Sequence, residues 1–232
     1  MQPIAVITGC GRRLGAYLTE QLLERGYRVY GQYLSSCPKV DDNPDFIATQ
    51  VDFRDASQVA QWRDQLLTEL PRLDLLVNNA SMYLPDEAGA PVAQLRSMMQ
   101  IHVEAPWMLV NALAPLLSSA GGCIVNLTDI YIHHPNEHCS AYCASKAALD
   151  NLSQSWAKQL APKVRVNTIE PGPILFLDEH SDAYRQQILA KTPLKVEGGL
   201  EPIWQALWMM LNNPYMTGAR IKVDGGRSLA QL

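Results

Sequence analysis

Tyr142 and Lys146 stand four residues apart in the stretch SAYCASKAALDNL, the spacing that places two side chains on one face of a helix. A phenol with a pKa of about 10 is a poor acid–base group near neutrality. An ammonium roughly 5 Å away, at an effective dielectric of about 20, is worth roughly 3 kcal/mol, or about two pKa units. The pair can therefore form a proton donor; the alternative is a packed tyrosine beside a solvated lysine. Upstream, Asp129 in NLTDIY adds a carboxyl group. A ketone that receives hydride becomes a strongly basic alkoxide, which a tuned phenol can protonate. Hydride addition to a C=N bond leaves a weakly basic nitrogen instead, and a carboxylic acid is the better match. Asp129, desolvated by a bound ring, is expected to have a raised pKa and to share its proton with Tyr142. Its other reading is a cap for a loop or helix.

Such a site needs an electron donor, and TGCGRRLG, residues 8–15, offers a place for one. The stretch lies between an apolar strand and an amphipathic helix. Gly9 permits a tight turn, and Gly15, after Leu14, lets the helix pack close to the sheet. The helix N-terminus then presents free N–H groups and a positive dipole end to a pyrophosphate. Arg12 and Arg13 place two guanidiniums where the helix dipole disfavours positive charge unless an anion is bound. The second strand ends in QYLSS, with no Asp or Glu to hold a ribose 2′-hydroxyl, while Ser35 and Ser36 can donate to a phosphate. These features favour NADPH over NADH.

The elements that must position these groups follow from hydrophobic periodicity. Strands are expected at 3–8, 27–33, 46–53, 73–80, 121–128, 163–171 and 219–226. Helices are expected at 13–25, 56–70, 92–118, 139–161 and 200–212, with Pro106 bending or splitting the third. Residues 175–200 read as a mixed polar segment covering the substrate. Strand–helix alternation with short links gives an α/β fold: one doubly wound, Rossmann-type domain over residues 1–232, its mostly parallel sheet flanked by helices on both faces. Ligands collect at the carboxyl ends of such strands, where the Gly-rich turn, NNAS, TD and PGPI all fall.

A net charge of −4 argues against nucleic-acid or anionic-membrane partners. No apolar run approaches the roughly 18–20 residues of a membrane span, and the N-terminus reads as a first strand, not a signal peptide. Five scattered cysteines without a Cys-x-x-Cys pair suit free thiols in a reducing cytoplasm. His133, His134 and His138 in HHPNEH lack a fourth ligand, so no metal site is expected.

TGCGRRLG, NNAS, YCASK, PGPI and VDGG, in that order along the chain, resemble the short-chain dehydrogenase/reductase family. Arg13 in the turn, Asp129 ahead of Tyr142, and NNAS followed by an aromatic are similar to its pteridine-reductase branch. That resemblance implies a cytoplasmic homotetramer transferring hydride from NADPH to a 7,8-dihydropterin, dihydromonapterin first and dihydrofolate second. It implies that Tyr142 donates the proton and that Lys146 binds the nicotinamide ribose and lowers the phenol pKa. Arg12 would meet the 2′-phosphate, Arg13 both pyrophosphate and pterin, and Asp52 the adenine. Asn79, Ala80 and Ser81 would line the cofactor; Pro171, Gly172 and Ile174 would hold the carboxamide. Arg13, Ser81, Tyr83, Asp129 and Tyr142 would surround the pterin, Tyr83 by stacking. The family has Asn where this chain has His102, which leaves its usual water relay open. Two alternatives remain at this point. A reductase of a 3-oxoacyl thioester or sugar ketone predicts Ser at position 129, and a non-catalytic dinucleotide-binding sensor would not require Tyr142 or Lys146.

Overall fold

In β1, Ile4–Thr8, every residue is buried, as a strand covered on both faces requires. Ile4 and Val6 point into one apolar layer, Ala5 and Ile7 into the other. The computed structural model describes residues 1–38, 43–86, 88, 89 and 91–230. Among them run α1 (Arg13–Glu24), β2 (Arg28–Tyr33), β3 (Phe46–Gln50), α2 (Ala56–Glu69), β4 (Leu75–Asn78), α3 (Val92–Met99), α4 (Ala105–Ala120), β5 (Cys123–Leu127), α5 (Ser140–Leu160), β6 (Arg165–Pro171), α6 (Asp182–Ala190), α7 (Glu201–Asn212) and β7 (Arg220–Val223). The strands form one sheet in the order β3-β2-β1-β4-β5-β6-β7, every neighbouring pair parallel.

One face is packed by Val59, Trp62 and Leu66 of α2, Leu109 and Leu113 of α4, and Leu149 and Trp156 of α5. The other is packed by Leu18 and Leu22 of α1 and by Ile203, Trp204, Leu207 and Met210 of α7. These are the apolar stripes that helical periodicity selects, so the layers follow from the sequence pattern. The strand order reverses between β1 and β4, opening a crevice at their carboxyl ends.

Three expected segments differ in detail. The helix expected at 92–118 is divided by a π-helical turn, Gln100–Glu104, between α3 and α4. Pro106 sits in the first turn of α4, where its missing N–H is least needed, and the wider turn ahead of it absorbs the change of register. The strand expected at 46–53 ends at Gln50, after which Val51 donates to the Tyr33 carbonyl at 2.9 Å. Within 175–200, α6 forms with Ser181 as N-cap, its hydroxyl accepting from Tyr184 N at 3.2 Å. No α6 residue is buried, which explains why hydrophobic periodicity did not reveal it.

At the crevice the first helix touches the first turn. A Cβ at Gly15 would stand 1.9 Å from the Gly9 carbonyl oxygen and 2.7 Å from Asn79 Nδ2. Gly15→Ala is therefore expected to lower stability by about 1–3 kcal/mol through overpacking, read as a lower urea midpoint at unchanged slope.

Candidate active site

Thr8, the last residue of β1, joins the two turns that diverge at the crevice. Its Oγ1 accepts from Asn79 N and Ala80 N, both at 2.9 Å, and its carbonyl accepts from Asn79 Nδ2 at 2.9 Å. Gln32 of β2 braces the same turn, its Oε1 accepting from Gly9 N at 2.9 Å and its Nε2 donating to the Val51 carbonyl at 2.6 Å. Gly9 has φ of 68°, and a Cβ there would lie 2.8 Å from Ala80 Cα. At Gly11 a Cβ would meet the Ser36 carbonyl oxygen at 2.0 Å. Glycines at these positions let the turn pack tightly against its neighbours, and it forms a backbone-lined cradle at the N-terminus of α1, the arrangement that receives a pyrophosphate. Beyond it lies a cavity of about 680 Å³.

All of the expected site residues line that cavity. They are Gly9, Arg12, Arg13, Leu14, Gly15, Ser35, Ser36 and Asp52 from the first half of the sheet and its turns, and Asn79, Ala80, Ser81, Tyr83, Asp129, Tyr142, Lys146, Pro171, Gly172 and Ile174 from later segments. Arg12 occupies the N-cap position of α1 in extended conformation, with φ of −160°. Arg13 adopts the left-handed φ of 52°, a strained setting for a residue with a side chain, of order 1–3 kcal/mol. Its guanidinium donates to the Leu175 carbonyl at 2.5 Å, linking the turn to the segment before α6. Burial and the neighbouring Arg12 lower its pKa, against the pull of Glu179 and Asp178. Asp52 is engaged by Arg54 Nε at 2.9 Å and Nη2 at 2.6 Å, and that partner holds its carboxyl below the ordinary value.

The proton-handling groups meet where β5 ends and α5 begins. Tyr142 Oη donates to Asp129 Oδ2 at 2.8 Å, while Tyr131 N donates to Oδ1 at 2.9 Å. Asp129 is thus both the cap of the short 3-10 turn Ile130–Ile132 and the partner of the phenol. Lys146, one turn along α5, donates to the Leu127 carbonyl at 2.8 Å, with its nitrogen 5.8 Å from the Tyr142 ring centre. Both side chains are almost wholly buried.

Burial raises the Asp129 pKa above 3.8, opposed by Tyr131 N–H, the Tyr142 hydroxyl and Lys146. Burial lowers Lys146 to about 8, the Asp129 charge holding it up. The phenol departs from the sequence expectation. Its pKa is raised well above 10, by burial first and then by the charge and hydrogen bond of Asp129. With a carboxylate as its immediate partner, the ammonium does not leave Tyr142 a better acid in this cleft. The acidic member of the set is Asp129.

Tyr83 stands edge-on to Tyr142, ring centres 5.0 Å apart and planes at 82°, and is half exposed over the cavity. Opposite it, Phe176, Leu177, His180, Tyr184 and Ile188 wall the cleft. His133 pairs with Glu170 at 3.3 Å and His138 with Glu137 at 3.6 Å. Among the described residues no three His, Cys, Asp or Glu side chains are grouped to hold a metal ion. The Cys139 and Cys143 sulfurs lie 3.7 Å apart beneath Tyr142. Thr8, Gln32 and Gly11 were missed by sequence reasoning, although Thr8 and Gly11 lie within the Gly-rich stretch; their roles depend on distant turns. His102, singled out only as a departure, lies in the π-helical turn and contacts Ser81.

Thr8→Val would leave two backbone donors without their acceptor. The expected cost is roughly 1–3 kcal/mol, together with weaker dinucleotide binding, measured by denaturant titration and by fluorescence of the bound reduced cofactor.

Residues 10–228 match the profile of the family described as enoyl-(acyl carrier protein) reductase. A dihydromonapterin reductase of Escherichia coli strain K12 is 38% identical over 236 residues, covering 98% of each chain. The dihydromonapterin reductase of Klebsiella pneumoniae is 35% identical over 230 residues, covering 97% of this chain and 96% of its own. Among solved structures, FolM alternative dihydrofolate reductase 1 from Brucella suis, in complex with NADP, superposes with a TM-score of 0.87 at 28% identity, covering 99% of this chain and 96% of that one. A short-chain dehydrogenase from Leptospira borgpetersenii with bound NAD+ reaches a TM-score of 0.90 at 21% identity, covering 98% and 93%. The expected likeness to the pteridine-reductase branch is met, in relatives that are bacterial dihydromonapterin reductases. With its parallel sheet, its Gly-rich crevice and these relatives, the chain belongs to the short-chain dehydrogenase/reductase family of nicotinamide-dependent oxidoreductases.

Proposed function

We propose that the protein is an NADPH-dependent reductase of 7,8-dihydropterins, with dihydromonapterin as first substrate and dihydrofolate as second. The observation that carries this reading is the 2.8 Å hydrogen bond from Tyr142 to a partly buried carboxyl group, where a carbonyl reductase has use for a hydroxyl instead. The names of the two bacterial relatives and of the Brucella suis structure support it.

The crevice fits a dinucleotide: Gly9, Gly11 and Gly15 let the turn pack backbone against backbone with its neighbours, and the turn at the N-terminus of α1 lines the cavity. Arg12, Ser35 and Ser36 would hold a 2′-phosphate, Asp52 would lie beside adenine, and Lys146 would hold ribose hydroxyls. Asn79, Ala80, Ser81, Pro171, Gly172 and Ile174 would line the remainder. A reduced nicotinamide bound there supplies hydride to the carbon of a C=N bond. Asp129, kept protonated to higher pH by burial, delivers the proton to the ring nitrogen in concert with Tyr142, whose hydroxyl it already contacts. Lys146 offsets the negative charge left on that pair. Tyr83 would cover one face of the pterin slot, Arg13 would reach its edge, and residues 175–200 would cover the substrate; Arg13, Tyr83, Phe176 and Tyr184 lining the same cavity supports this.

The domain spans residues 1–232 in this reading. Assembly into a homotetramer is what the family resemblance supports, and exposed apolar side chains such as Val92, Leu95 and Trp107 are available to such contacts. Free cysteines support a cytoplasmic setting, and among the described residues no helix is long and apolar enough to cross a membrane.

Oxidation of NADPH, followed by its absorbance with dihydromonapterin, dihydrofolate or a 3-oxoacyl thioester, tests the proposal. Turnover of the thioester alone would overturn it. Asp129→Ser is expected to lower pterin turnover by about 10²-fold or more, with NADPH affinity within roughly threefold of wild type. The reaction uses the protonated carboxyl, so kcat/KM falls as pH rises through a pKa above 3.8, and falls again as Lys146 loses its proton around 8. The first of these limbs should be absent in Asp129→Ser. Arg12→Ala is expected to weaken NADPH binding roughly 10–100-fold and leave NADH binding nearly unchanged, measured by calorimetric titration.

A further inference from the structure

His102 is 1% exposed, on a π-helical turn that carries its ring in under the cleft. Its neighbours determine where its proton resides. The Met82 backbone N–H, which can only donate, points at Nε2 at 3.3 Å. Nε2 therefore carries a lone pair, and the single ring proton is on Nδ1. Nδ1 lies 2.8 Å from Ser145 Oγ, whose own hydrogen goes to the Tyr142 carbonyl at 2.7 Å. Ser145 thus accepts from Nδ1–H. Burial and the charge of Lys146 oppose a second ring proton. The remaining contact of Nε2 is Ser81 Oγ at 3.0 Å, and across this pair only the serine has a hydrogen to give.

We infer that His102 is a positioning residue, a fixed acceptor that takes the Ser81 hydroxyl hydrogen and so makes Ser81 present only lone pairs to the cleft. Three consequences follow. Ser81, exposed on the cleft wall, must receive a hydrogen bond from whatever it meets there, and selects for an N–H or O–H at that point. Its hydrogen, committed to Nε2, is withheld from the neighbouring Tyr142, so it does not oppose the burial and the Asp129 contact that keep the phenol protonated. The His102 ring also stands edge-on to Tyr142, centres 5.6 Å apart and planes at 85°, so the imidazole and the Ser145 bridge fix the base of the phenol. The chain of hydrogen bonds ends at the Tyr142 carbonyl, so His102 orients groups and passes no proton to solvent. A reduced pterin, with ring N–H and exocyclic amine groups, has the donors Ser81 requires; that last identification rests on the function proposed above.

Ring 15N–1H correlation NMR of the wild-type protein, with the His102 signal assigned by its loss in His102→Gln, tests the tautomer without any substrate. One protonated Nδ1 and one unprotonated Nε2, unchanged from about pH 5.5 to about 8.5, a range that brackets the ordinary histidine pKa, is the expected result. A proton on Nε2, or on both nitrogens, would overturn the inference. A double-mutant cycle on kcat/KM then tests whether the residue acts through Ser81. Ser81→Ala and His102→Phe are each expected to lower kcat/KM roughly tenfold, and the double variant to fall less than about threefold below either. Additive losses would mean that His102 only supports the fold. His102→Gln, which keeps an acceptor and a donor, is expected to recover most of the activity. Should His102→Phe fail to fold, the cycle is run with His102→Asn, whose shorter side chain cannot reach Ser81. Should no pterin be turned over while the tautomer is as stated, the proposed function fails and the role of His102 toward Ser81 stands.

Discussion

Two backbone segments leave the sheet side by side where its strand order reverses, and they touch. Strands β1 and β4 end there, and the turns after them approach so closely that Gly9 and Gly15 leave no room for a Cβ. Two N–H groups of the β4 turn, at Asn79 and Ala80, need an acceptor in this partly buried place, and a single hydroxyl with two lone pairs serves both. Thr8 therefore fixes the distance between the cradle at the start of α1 and the residues that precede Ser81 and Tyr83. The rest of the cleft is measured from that join: α5 brings Tyr142 and Lys146 to it from one side, and the π-helical turn brings His102 from beneath.

Placing a phenol, an ammonium and a carboxyl together out of water couples their charge states. Each charge alone would be costly there, and each alters the others. Lys146 keeps a proton because Asp129 is near; Asp129 retains one more readily than a surface carboxyl because burial outweighs the three groups that stabilise its anion. The phenol, bonded to the carboxyl, is the least acidic member. A serine in place of Asp129 would leave the ammonium acting on the phenol alone.

The fold was readable because its elements obey simple periods. Buried parallel strands show as short apolar runs, and α1, α2, α5 and α7 as stripes with one core-facing side. The division of the 92–118 helix was foreseeable from Pro106, but the π-helical form of its junction was not, because nothing local distinguishes it from a bend. Helix α6 went unseen because it buries no side chain, so it leaves no apolar stripe in the sequence. At the site, residue types and spacing pointed to Tyr142, Lys146 and Asp129, since helical spacing brings the first two together. The direction of the phenol pKa was not legible, because it depends on whether the carboxyl or the ammonium makes the direct contact. Nor was the tie between His102 and Ser81, twenty-one residues apart and joined only by the way α3 and α4 meet.

Helix α6 supplies Tyr184 and Ile188 to the cleft wall while contributing no buried residue to the core. It is held by its Ser181 cap and by Arg185, which donates to the His180 and Leu177 carbonyls at 3.0 and 2.9 Å. Residues there can be exchanged at little cost to folding, since most large losses of stability come from core cavities or orphaned buried polar groups. Substitutions on this stretch of the cleft wall therefore cost the fold little, whereas the phenol and ammonium stand on α5, a helix that also packs the core.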